Sequence, residues 1–174
     1  LATAVLEGEV QIEDMVGRLA PTPEAALEMA YTDTIPVLVA PELPHFQSPI
    51  SVIVDARIAK RNINTSIDQA PLVIGMGPGF TAGRDCHAVI ETNRGHRLGR
   101  VIDRGQAEPH TGTPGIVKGY TVDRVLRAPA NGHVVAYANI GDPIESGRLI
   151  AKVDGQELRA PFNGVLRGLV HPEV

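Results

Sequence analysis

The densest group of residues able to do chemistry in this 174-residue sequence runs from Leu72 to His87. An apolar stretch, Leu72-Val73-Ile74, leads straight into Gly75, Gly77, Gly79 and Gly83, four glycines within nine residues. With no Cβ, the backbone at such positions can approach a ligand closely and aim successive N–H groups at an anion. Thr81, a hydroxyl donor, and Arg84, a charge-assisted fork, are the natural side-chain contacts of such a cradle. The spacing departs from the dinucleotide pattern G-x-G-x-x-G, Pro78 removes one donor, and no helix signal follows to add a dipole. Two readings stand side by side: a cradle for a phosphate-bearing ligand, or a tight structural turn.

Further candidates flank this loop. Cys86 and His87 are a conceivable nucleophile pair, but neighbours on a strand face opposite sides. The alternative for Cys86 is a small buried thiol. Asp85, His87 and His96 are conceivable metal ligands, although their spacing repeats no recognised ligand set. Arg94, Arg97 and Arg100 suit an anion site or pairing with acidic residues elsewhere. Asp55 and Arg57, with Lys60, close another apolar run; ligands gather at the carboxyl ends of strands in open α/β sheets, and a plain salt bridge is the competing reading.

These residues must be positioned by a strand-rich frame. Ile35 to Val39, Ser51 to Val54, Pro71 to Ile74, Ala88 to Thr92 and Arg100 to Ile102 are short apolar runs, mostly β-branched and bounded by Gly, Pro or Asp, which predicts strands. Pro23 to Ala30 predicts a helix, with Thr22 as N-cap, Pro23 in the first turn and Glu24 complementing the dipole. Ile58 to Arg61 predicts a second, short helix. At 43% apolar residues and with no Trp, the core must come from Val, Ile, Leu and Ala. A single cysteine excludes an intrachain disulfide and any multi-cysteine metal site held by this chain alone. No signal peptide and no membrane-spanning apolar run is evident, so a cytoplasmic setting without membrane contact is expected. The chain opens on Leu1, which suggests a fragment or a processed product.

Charge is unevenly spread. Residues 1–50 carry eight acids against Arg18 alone, net −7, whereas residues 51–127 are net +4. The two regions could complement each other within one fold, or the basic middle could form a pocket for an anion. The acidic overall balance and the scarcity of aromatics argue against nucleic acid.

The tail contains a repeat: Arg127-Ala128-Pro129-Ala130-Asn131-Gly132 recurs 32 residues later as Arg159-Ala160-Pro161-Phe162-Asn163-Gly164. Each Asn-Gly can supply the positive φ of a tight hairpin. With Gly141-Asp142 between the copies, residues 126–170 resemble the barrel-sandwich hybrid of biotinyl and lipoyl domains. In those domains a lysine stands at a hairpin tip. Here Asp154-Gly155 makes the turn and Lys152 falls back on the strand, so neither biotin nor lipoate is expected.

Four segments in this order resemble one family: Val54 to Asn62, Pro71 to Gly83 with its "GPGFTAG", Glu91 to His96 ("ETNRGH") with Leu98 to Ile102, and Gly112 to Gly119. The chain is similar to the selenium-dependent molybdenum hydroxylase system proteins. The resemblance implies an accessory protein for maturing such hydroxylases, with the hydroxylase or other cofactor-maturation proteins as partners. Its ligand would be the molybdenum cofactor or a nucleotide, held by Gly75, Gly77, Gly79, Thr81, Gly83, Arg84 and Arg94, with Asp55 and Arg57 nearby. Cys86 would be the candidate to carry sulfur or selenium. The resemblance also implies a preceding Rossmann-like strand and Gly-rich turn that this sequence lacks. The expected fold is therefore mixed α/β and strand-rich, with an incomplete Rossmann-like α/β body over residues 1–125 and an all-β barrel-sandwich hybrid over 126–174. A nucleotide-dependent transferase or oxidoreductase and a non-catalytic scaffold are the alternatives, and self-association is left open.

Overall fold

Short β-branched segments separated by Gly, Pro and Asp make strand outweigh helix in the computed structural model, which describes residues 1–44, 46 and 48–170. Positions 171–174 of the expected tail module lie outside the described residues. The chain forms two compact units, Leu1–His110 and Thr111–Val174, where the sequence reading divides it near residue 125. Tyr120, in the stretch assigned differently, stacks on Phe162 with ring centroids 4.0 Å apart, which ties it to the second unit.

The first unit opens with α1 (Ala4–Glu7), β1 (Glu9–Ile12), β2 (Met15–Leu19), α2 (Pro23–Met29) and β3 (Thr34–Val37). The strands β1 and β2 form an antiparallel hairpin, and β3 lies parallel to β2 after the α2 crossover. Helix α2 starts as expected: the Thr22 hydroxyl accepts the Ala25 N–H at 3.2 Å and Pro23 occupies the first turn. The hairpin is not among the sequence expectations. Its turn runs through Glu13, at φ 55°, in place of the Asn-Gly that would have signalled it.

A four-stranded sheet follows, in the order β4 (Val52–Asp55), β5 (Leu72–Met76), β6 (Ala88–Ile90), β7 (Val101–Ile102). The first three strands are parallel and β7 is antiparallel to β6. Ile53, Val73, Val89 and Ile102 share one face and pack with Ala70, Phe80, Ala82, Cys86 and Ala107 in the core. Ala70 belongs to the β4–β5 connection and Phe80, Ala82 and Cys86 to the β5–β6 connection. Both connections therefore cross the same face, as right-handed crossovers between successive neighbouring strands must. The helix expected at Ile58 to Arg61 does not form. Ile58 (φ 53°) and Lys60 (φ 64°) take left-handed conformations instead, within a loop where Arg57 folds back on Asp55 and Asn62 brackets Thr65.

The second unit contains β8 (Val134–Ala136), β9 (Pro143–Ile144), β10 (Leu149–Val153), β11 (Gln156–Arg159) and β12 (Gly164–Val165). They form two antiparallel sheets, β11-β10-β8 and β12-β9, with no closed barrel among the described residues. Ala138, Ile144, Ile150 and Ala160 form its core, with Leu126, Leu166 and Leu169 packed against them. Asp154 (φ 48°) and Gly155 (φ 79°) make the two-residue turn expected between β10 and β11. Lys152 lies on β10, 3.8 Å from Glu157. The repeated Asn-Gly pairs do not make hairpins. Gly132 leaves room for Asp154, whose Cβ would stand 2.7 Å from an added Cβ, and Gly164 is already inside β12 while Asn163 accepts the Ser146 N–H at 2.7 Å. Each copy enters a strand from a bend because its strand pairs with a distant partner, β10 or β9.

No helix among the described residues is long and apolar enough to cross a membrane. Among the described residues, the ion pairs are local, such as Arg18–Glu9, Arg57–Asp55 and Arg97–Glu108. None joins the acidic first fifty residues to the basic middle, so the internal complementarity suggested by the charge pattern is not realised as ion pairs.

Candidate functional site

Three parallel strands deliver their carboxyl ends to one edge of the sheet, and the candidate residues gather there. Asp55 is the last residue of β4 and is buried. Arg57 Nη2 donates to its Oδ2 at 2.6 Å, Arg57 Nε to its Oδ1 at 3.0 Å, and the Thr65 hydroxyl to Oδ2 at 2.5 Å. The bidentate Arg57 contact, aided by Thr65, outweighs burial and holds the Asp55 carboxyl down at about 2. Asp55 and Arg57 are thus brought together as a satisfied ion pair.

The glycine segment after β5 is shaped by packing. An added Cβ on Gly75 would lie 2.5 Å from the Phe80 ring, on Gly77 2.6 Å from Thr92 Oγ1, and on Gly79 2.5 Å from Arg61 Cα. The loops after β4, β5 and β6 therefore touch one another at Gly77 and Gly79, both with positive φ. Most of the amides are committed. Gly77 N–H donates to Ile90 O, Thr81 to the Asp85 carboxylate, Ala82 to Gly105 O, Gly83 to Cys86 O, and Arg84 and Asp85 to Thr81 O. Gly79 and Phe80 N–H have no acceptor among the described residues. Of the two readings open in the sequence, the hydrogen bonding describes the tight turn. Most of the donors that would wrap a phosphate are thus already used; among the described residues the N–H of the exposed Gly79 is free of an intramolecular acceptor, whereas Phe80 is 2% exposed.

The side chains assigned to that cradle are mostly engaged as well. Thr81 Oγ1 accepts from Gln106 Nε2 at 2.8 Å. Arg84 is exposed and forks onto Asp85, with Nε–Oδ1 and Nη2–Oδ2 both 3.0 Å. That contact lowers the Asp85 carboxyl below its usual range against a smaller opposing effect of burial. Arg94 is exposed and has no ion-pair partner among the described residues. Arg97 reaches Glu108 at 3.7 Å.

Cys86 is fully buried in the apolar core, in the turn before β6 and not on a strand. Burial pushes its thiol up and opposes the thiolate that sulfur or selenium transfer would need, so the nucleophile reading does not suit this setting. His87 Nδ1 accepts the Val73 N–H at 3.0 Å. Asp85 is spent on Thr81 and Arg84, and no group of three or more His, Cys, Asp or Glu that could hold a metal occurs among the described residues. Asp85, His87 and His96 are accordingly not gathered into a ligand set.

Glu91, 2% exposed, was not singled out as a candidate, yet it is the counterpart of Asp55 at the end of β6. Burial raises its carboxyl, but the N–H groups of Glu108 (2.8 Å), Asn93 (2.7 Å) and Thr92 outweigh this and the net displacement is downward. An acid directly after an apolar strand, as at Asp55, was the available signal.

A curated relative, described as the uncharacterized protein YqeB of Escherichia coli (strain K12), is 46% identical over 172 residues. That match takes in 98% of this chain and 32% of the relative, so the chain spans about a third of the relative's length. No family model and no solved structure matches the chain.

Proposed function

We propose that this protein is an accessory factor in the maturation of selenium-dependent molybdenum hydroxylases, acting through the loops at the carboxyl ends of β4, β5 and β6. The observation that supports this reading is the contact of Gly77 with Thr92 and of Gly79 with Arg61. Segments 54–62, 71–83 and 91–96 carry the resemblance to that family, are separate in the sequence, and meet in one surface. On this reading the first unit is an incomplete Rossmann-like body and the second a barrel-sandwich hybrid whose Lys152 is not a carrier.

The cargo would be an anionic group of the molybdenum cofactor or of a nucleotide. The Gly79 N–H can donate to one oxyanion, and Arg61 and Arg94, both exposed, add positive charge from the loops after β4 and β6. Arg84 and Arg57, each forked onto its own carboxylate, are less available. The committed amides also favour a scaffold reading, in which this surface docks on the hydroxylase or on another maturation protein. Cys86, the thiol of these loops, is fully buried and lacks the exposure of a nucleophile.

The test is genetic. In a cell that makes a selenium-dependent molybdenum hydroxylase, deleting the gene for this protein should leave the hydroxylase polypeptide at normal abundance but lower its specific activity and bound selenium. Unchanged specific activity and selenium content would remove the proposal.

A further inference from the structure

The tail holds two Asn-Gly pairs, Asn131-Gly132 and Asn163-Gly164, and the fold treats them differently. Asn followed by Gly is prone to spontaneous cyclisation, because a residue without a Cβ leaves its backbone nitrogen free to approach the preceding side-chain amide. How fast that happens in a folded protein depends on how firmly the side chain and the following N–H are held.

At the second pair both are held. Asn163 Oδ1 accepts the Ser146 N–H at 2.7 Å, the Ser146 hydroxyl donates to Pro161 O at 3.2 Å, and Gly164 lies in β12 opposite Ile144 of β9. At the first pair neither is held. Asn131 and Gly132 are exposed in the bend before β8, and neither the Asn131 side chain nor the Gly132 N–H has a hydrogen-bond partner among the described residues. Gly132 has φ 144°, and an added Cβ there would stand 2.7 Å from Asp154 Cβ, so the packing itself demands glycine after Asn131.

We infer that Asn131 is a site of spontaneous deamidation in the folded protein, and that the fold protects Asn163 from the same reaction. The Gly132 nitrogen, its proton taken by hydroxide, attacks Asn131 Cγ; the N–Cγ bond forms, the Cγ–Nδ2 bond breaks, and ammonia leaves with a proton from water. A second water opens the resulting five-membered imide at either carbonyl, giving aspartate or isoaspartate with no change of oxidation state. The product adds a carboxylate to the segment that packs on Asp154, just before β8 pairs with β10 at Val134 and Val153. The inference rests on the second unit alone and is independent of the proposed role in hydroxylase maturation.

The test incubates the purified natural protein at mildly alkaline pH, then cleaves it after Lys and Arg and follows the mass gain of amide-to-acid conversion. Residues 128–148 carry Asn131 and Asn139, and residues 160–167 carry Asn163 alone. In the folded protein Asn131 should convert at least about tenfold faster than Asn163, since the Asn163 hydrogen bond and the β12–β9 pairing must open first. In urea the two rates should converge, both pairs being Asn-Gly. A smaller difference in the folded protein, or one that survives unfolding unchanged, would overturn the inference. Asn131→Ser should abolish the gain in residues 128–148 and leave that of residues 160–167 as it was; a gain that persists would put the reaction at Asn139 and contradict it.

Discussion

At Asp55 an ionised carboxylate is buried against three side-chain donor contacts, and the consequence is a defined pH dependence. Its folded value of about 2 lies below the ordinary 3.8, so the stabilisation is fully present above the ordinary value and is lost as pH falls toward about 2. The displacement corresponds to about 2 kcal/mol, and the partial exposure of Arg57 reduces it. Urea unfolding of the parent and of Asp55→Asn should therefore differ at neutral pH and converge as pH falls from about 4 to about 2. A difference that does not change with pH would show that the ion pair is not what holds this loop. Asp55 and Arg57 were legible in the sequence because an acid closing an apolar run and a base two residues later define a turn with a partner. Glu91 was not, because its partners are backbone N–H groups, one of them seventeen residues away at Glu108, and backbone donors carry no residue signature. For Cys86 the sequence left a reactive thiol beside His87 and a small buried thiol both open, and the packing of Val73, Phe80 and Val89 in the same cluster describes the buried one.

The same distinction between local and remote causes governs the elements. Each apolar run singled out in the sequence contains a strand, shifted by a few residues at its ends, and α2 begins where Thr22 and Pro23 say it should. The failures are turns: the hairpin through Glu13, the loop at Ile58 to Arg61, and the Asn-Gly pairs of the tail, whose strands pair across the module. The glycine loop holds the most testable element-scale claim. Gly79 packs on the Arg61 backbone, whereas an added Cβ on Gly83 meets nothing within 4 Å, although both have positive φ. Gly83→Ala should cost about 1 kcal/mol from backbone conformation alone. Gly79→Ala adds a clash with backbone that cannot rotate away, and should cost about 3 kcal/mol or more in urea unfolding. Equal costs would mean that the loop is not a packed junction between the strand ends.

Over the whole molecule, the tail repeat suggests a division near residue 125, while the contacts divide the chain after His110, and Tyr120 stacks on Phe162 of the second unit. The uneven charge was also visible, and its expected resolution into ion pairs between the acidic and basic regions is not found among the described residues. Arg61 and Arg94, exposed in the loops after β4 and β6, have no ion-pair partner among the described residues and carry the positive charge that the proposed role offers to an anion. The proposed role depends on that surface, and one comparison tests it most directly. In the gene-deletion cells, the natural protein carrying Arg61→Ala and Arg94→Ala should accumulate normally yet restore hydroxylase specific activity at least about tenfold less well than the parent, each lost charge-assisted contact being worth roughly 1.5–3 kcal/mol. Arg148→Ala, in the second unit, should restore it fully. Full restoration by the double variant would contradict the account.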